Sequence, residues 1–254
     1  MGDPDSGWAA DWAAWHAARE ERLRDPRGWL AITAIHWLTA EPQRFDDVPG
    51  AWHDSSSGPV VSLGADEALT LDERALEAGD HPLGPVDGVG VTVAFGAAVA
   101  QVADRDGRTI VRPRHPDSPH LRGYRGTPCY PADPAWVLAG RFEPYPRPDG
   151  DAVGEITFAC AGAEHRLVAW GDDEDDTLWI LFRDATSGVT TYDANRQLVV
   201  EPPAADGTVR LDFNRAYNMP CAYTDFATCP VVPAANTLPF AVEAGEQIPD
   251  FAQG

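Results

Sequence analysis

From Gly28 to Asp212 the chain is cut into short apolar runs by Gly, Pro and Asp-rich turns, and that punctuation leaves room for little but antiparallel β-structure. VTVAF alternates from Val91 to Phe95, AAVAQVA follows it, and Asp104-Arg105-Asp106-Gly107 supplies a tight turn before RTIVRPR. Further on, WVLAGRF, GEITFAC, HRLVAW and TLWILFRD read as successive strands joined by polar or glycine turns. GWLAITAIHWL, apolar on both faces, reads as the strand that starts the sheet. The acidic GDDEDD from Gly171 to Asp176 reads as a solvated hairpin tip, since it lacks the sixth-position Gly and distal Glu of an EF-hand. No unit of 20 to 50 residues recurs, so a solenoid or propeller has no support.

Two stretches depart from this pattern. Trp8, Trp12 and Trp15 stand at i, i+4 and i+7 with Leu23 further along the stripe, which predicts an amphipathic helix from about Gly7 to Arg24, capped by Ser6 and ended by Asp25-Pro26. Its tryptophan stripe reads as a face docked on the core. At the other end, Pro220, Pro230, Pro233, Pro239 and Pro249 interrupt any alternation between Phe213 and Asp250, while Tyr217, Tyr223, Phe226 and Phe240 make the segment too aromatic for a solvated tail. The expected architecture is mainly β, an antiparallel meander or split barrel over 28–212, with an N-terminal helix and an ordered C-terminal coil, 213–250, over the barrel mouth. A single domain over 1–254 is expected.

Composition removes several function classes. All 19 basic Lys+Arg residues are Arg, so amine chemistry is excluded: no Schiff base and no phosphate-loop lysine. A GC-rich genome, which favours Arg codons over Lys codons, explains that usage. The net charge of −21 and pI near 4.5 argue against nucleic-acid binding. No secretory leader pattern and no apolar run of about 18 residues is read, so a cytoplasmic protein with no membrane association is expected. The thiols Cys129, Cys160, Cys221 and Cys229 are too scattered for a disulfide scaffold.

The densest polar stretch is LDFNRAYNMPCAYTDFATCP, positions 211–230. A Cys221 nucleophile would be activated by Arg215, with Asp212 and Asn218 completing the catalytic group. A base would have to arrive through the fold from His36, His53, His81, His115, His120 or His165. Against this stand two inert buried thiols, a Cys221–Cys229 disulfide, and a zinc site disfavoured by the spacing of the thiols. Arg183-Asp184-Ala185-Thr186-Ser187-Gly188 reads as a hydrogen-bonded turn between WILFRD and VTTYDANRQL. Alternatively Arg183, Tyr192 and Arg196 join Asn214, Arg215 and Tyr217 in an anion pocket, because guanidinium forks suit carboxylate and phosphate. VRPRHPDSPHLRGYRGTPCYP, with Arg112, Arg114, Arg122, Arg125, His115 and His120, reads as an irregular connection, or as a lid bringing positive charge to that pocket.

The stretch DFNRAYNMPCAY with ATCP after it resembles the bacterial and archaeal family called domain of unknown function 1684. So do Gly28-Trp29-Leu30 with Trp37-Leu38, the Pro131 to Pro134 step and FRDATSGVTTYDANRQL. His36, Asn195, Met219 and Thr237 depart from the family pattern. The resemblance implies no activity, since the family is named for lacking one. The residues alone suggest a hydrolase or transferase acting on a small anionic metabolite at an Arg/Asn/Cys site. The alternative is a non-catalytic β-barrel module for an anionic or flavin-like ligand. A third reading has the polar run merely pinning the coil by side-chain-to-backbone hydrogen bonds. No cofactor is indicated, and a homodimer is left open.

Overall fold

A computed structural model describes residues 4–171 and 176–251. The chain is mainly β, with antiparallel sheets, a half-barrel and one long helix at its start, as the sequence pattern requires. It divides into two compact units: one takes the chain through Glu20, Arg125–Tyr223 and the segment from Thr228, the other takes Glu21–Tyr124 with Thr224–Ala227.

The first unit is built on a seven-stranded sheet. Val137–Asp149, Ala152–Cys160, Ala163–Gly171, Leu178–Phe182 and Arg196–Val200 follow one another as a meander, with Tyr217–Asn218 at one edge and Thr208–Asp212 returning to the other. Ala161 and Gly162 both take positive φ, 50° and 78°, the geometry a two-residue turn needs to match the twist of its strands. Ile156, Phe158, Leu167, Ile180, Phe182, Leu198, Leu211 and Phe213 fill the core. The turn after Phe182 forms as expected: Asp184 Oδ1 accepts from Thr186 N at 2.8 Å, and Phe182 pairs with Arg196 across the strands. The acidic tip lies mostly outside the described residues.

Helix α1 spans Pro4–Leu23, so Ser6 falls inside it rather than capping it. Its tryptophans are half-buried and stay out of the core cluster. Two of them dock through their indole N–H groups instead: Trp8 Nε1 donates to Asp212 Oδ2 at 3.1 Å and Trp12 Nε1 to the Asn214 carbonyl at 2.9 Å. The C-terminal coil is ordered by backbone pairing with the turn after Phe182, through Arg183 N to Asn236 O, Leu238 N to Arg183 O and Ala185 N to Phe240 O.

The second unit packs a six-stranded and a four-stranded antiparallel sheet about one core. Trp52, Val61, Leu69, Val93, Ala100, Val102 and Val111 meet there. GWLAITAIHWL is not a strand throughout. Trp29–Ala31 form a 3-10 turn, only His36–Trp37 pair with the sheet, and Leu30, Ala31 and Ile32 are buried. The stretch read as irregular from Val111 begins instead as strand. Arg108–Arg114 run antiparallel to Ala98–Arg105, joined by Asp106 and Gly107 at φ 54° and 76°.

Candidate functional site

Within the first unit, the structure matches the cations of the sequence-predicted pocket to carboxylates one by one. Arg196 is 1% exposed and pairs with Asp184 at 2.8 Å, and it also donates to the carbonyls of Val242 and Ala244. Arg215 pairs with Asp11 at 2.7 Å, and Arg183 with Asp193 at 2.8 Å. Asp212 Oδ1 accepts from Asn214 Nδ2 at 2.9 Å, and Asn214 is bonded both ways to the Asp133 backbone. Asn218 donates from its backbone N to Glu246 and from Nδ2 to the Gln247 carbonyl, each at 2.7 Å. Tyr192 donates to the Cys221 carbonyl at 2.8 Å, and the Arg19 guanidinium lies 4.7 Å above the Tyr217 ring. Apart from the local Asp212–Asn214 bond, these contacts fasten one stretch of chain to another.

Among the described residues no cation pairs with the Cys221 thiol, and the effects that raise it outweigh its hydrogen bond with Tyr192. Burial, followed by its hydrogen bond to Cys229, pushes its thiol up to about 12. Arg215, expected to lower it, is engaged with Asp11 and Asp212. Both effects run against the thiolate that a nucleophile at Cys221 would need. The centre of this region is a pair that sequence reasoning missed. Glu246, fully buried, accepts from Arg19 Nε at 3.0 Å, Asn218 N at 2.7 Å and Tyr223 OH at 3.0 Å. Arg19 and Glu246 stand 227 positions apart, so no local spacing could reveal the pair. Among the described residues no cluster of three or more His, Cys, Asp or Glu side chains could hold a metal ion.

In the second unit the cations are arranged differently. Arg112 lies on the strand Arg108–Arg114 with 2% of its surface exposed, and no carboxylate comes within ion-pair distance of it among the described residues. One neutral oxygen serves it: Arg112 Nη2 donates to Gln101 Oε1 at 2.6 Å, and Arg114 Nη2 donates to that same atom at 3.2 Å. The Nε groups of both arginines are buried without a partner. Both guanidiniums lie over the Trp29 ring, at 5.1 and 5.3 Å from its centroid. Burial, then the neighbouring charges of Arg114 and Arg105, hold Arg112 down to about 10. Arg114 is lowered by burial as well, with the exposed Asp25 pulling the other way.

Arg196 shows how this chain neutralises a buried guanidinium that serves the fold, with a carboxylate at 2.8 Å. Arg112 is buried to the same degree and is left with a neutral amide and an indole face. Cation–π contact returns about 0.5–2 kcal/mol, less than the several kcal/mol it costs to desolvate a charge.

A family model described as "Protein of unknown function (DUF1684)" matches residues 122–247. The chain belongs to this family. A solution NMR structure of an uncharacterised protein of Haloarcula marismortui is 33% identical, over 48% of this chain and 76% of that one, with a TM-score of 0.43. A search of curated proteins finds no match. In this DUF1684 chain the family-matched stretch contains Arg183, Tyr192, Arg196, Asp212, Asn214, Arg215, Tyr217, Asn218 and Cys221, whereas the Gln101, Arg112 and Arg114 group lies before it. The family-matched group ties segments together, while the Arg112 group gathers positive charge and keeps two buried Nε donors without a partner.

Proposed function

We propose that this chain is a non-catalytic β module that binds a small anionic molecule, rather than a hydrolase or transferase working through Cys221. The observation that carries the reading is Arg112: a guanidinium 2% exposed, its Nε without a partner, and no carboxylate in reach among the described residues. A bound anion supplies the missing countercharge, and Arg114, Trp29 and Arg105 shape the place it would occupy. The enzyme reading has less support because burial raises the Cys221 thiol and the nearby Arg196 and Arg215 already pair with carboxylates. No helix among the described residues is long and apolar enough to cross a membrane.

The test is thermal unfolding over a panel of small carboxylates, phosphates and sulfates at matched ionic strength. A ligand at about ten times its Kd stabilises by about 1.4 kcal/mol, which raises Tm by roughly 3–5 °C in a chain of this size. Arg112→Gln is expected to lose that shift. No shift from any anion on the intact protein would end the proposal.

A further inference from the structure

The same group of arginines carries information about which anion it takes, an inference that rests on the anion-binding reading above. Arg114 and Arg105 both act on Arg112, Arg105 acts on Arg114, and the exposed Asp25 opposes the group through Arg114. Three cations against one carboxylate leave two positive charges, so a monoanion leaves one of them uncompensated and a dianion brings the group close to neutral.

The donors point the same way. Arg112 and Arg114 both aim an Nη2 at a single oxygen, Gln101 Oε1, and both keep an unused Nε. A carboxylate has two oxygens and fits one guanidinium fork. A tetrahedral oxyanion has three or more oxygens and accepts from two forks at once. Gln101 sits opposite Arg112 in the strand register, is half-buried, and is held from its other end by donation from Nε2 to the Val89 carbonyl at 2.8 Å. Its amide oxygen therefore stands where a ligand oxygen would be, as a neutral acceptor occupying a place between two cations.

We propose that the Arg112–Arg114 pair is a binding site for a dianionic phosphate group, which displaces the Gln101 amide oxygen from between the two guanidiniums. The ligand's remaining atoms extend past Trp29, which is half-buried and has both guanidiniums stacked on its ring. Phosphate is favoured over a carboxylate by charge and by donor count.

The experiment is isothermal titration of the full chain with inorganic phosphate and, separately, with acetate, ionic strength being balanced with sodium chloride. Phosphate is expected to bind at one site and at least tenfold tighter than acetate. Gln101→Glu places a carboxylate between the guanidiniums, so it is expected to raise the Tm of the free protein and weaken phosphate at least tenfold. Gln101→Leu removes the competing acceptor and is expected to keep or tighten phosphate binding, which guards against reading a packing defect in the glutamate variant as loss of a site. Acetate binding as tightly as phosphate would overturn the phosphate assignment while leaving the anion-binding module standing. Binding of neither would overturn both, and full phosphate affinity in Gln101→Glu would place the anion elsewhere.

Discussion

Arg112 and Arg196 are both nearly inaccessible guanidiniums, and their neighbours give opposite expectations for mutation. Removing the Asp184 charge strands Arg196 in the core of its unit, so Asp184→Asn is expected to cost about 3–5 kcal/mol in urea unfolding. Arg112→Gln removes a charge that has no carboxylate to lose, and is expected to change stability far less or to raise it. Glu67 gives a pH prediction. Its carboxylate accepts from Arg44 Nη1 at 2.7 Å, Gly64 N at 2.7 Å and Gly50 N at 2.9 Å, and these bonds, Arg44 foremost, hold it down to about 2. A carboxyl lowered on folding contributes fully above its ordinary range near 4.5, and that contribution is lost as pH falls towards 2. Acid unfolding of Glu67→Gln should therefore show a shallower loss of stability over that interval than the parent chain.

The coil and the hairpins belong to the next scale. Asn236, fully buried, accepts from Val168 N at 2.7 Å and donates to the carbonyls of Val168 and Leu181 at 2.9 and 2.8 Å, tying the coil to the sheet. At about 1 kcal/mol per bond, Asn236→Ala should cost about 3 kcal/mol, measured by denaturant unfolding. In the segment that carries the thiols, iodoacetamide at neutral pH is expected to label the exposed Cys229 well before Cys221, as peptide mapping by mass spectrometry would show. Equal rates would restore the case for an activated Cys221.

The hairpins were legible because glycine and aspartate mark their turns, and Asp106-Gly107 even fixes a register: pairing Arg105 with Arg108 puts Gln101 opposite Arg112. The strand reading of GWLAITAIHWL failed because a short run buried on all sides has no period to separate a strand from a 3-10 turn. The ion pairs of Arg196 and Arg215 were not legible, since Asp11, the partner of Arg215, lies 204 positions away.

For the whole molecule, the net charge of −21 makes a buried arginine without a carboxylate partner conspicuous. The 40 acidic residues offer abundant partners, and the family-matched stretch uses them for its arginines. Leaving Arg112 with Gln101 alone is therefore the feature from which the anion-binding account follows. The most direct measurement is an NMR titration of the arginine Nε–H resonances with sodium phosphate, compared with sodium chloride at equal ionic strength. The account predicts saturable shifts at Arg112 and Arg114, with Arg196 left in place, since its Nε is likewise without a partner but its guanidinium is already paired to Asp184. Resonances of Arg112 and Arg114 that stay still in phosphate and in every small carboxylate, or that move equally in chloride, would contradict it.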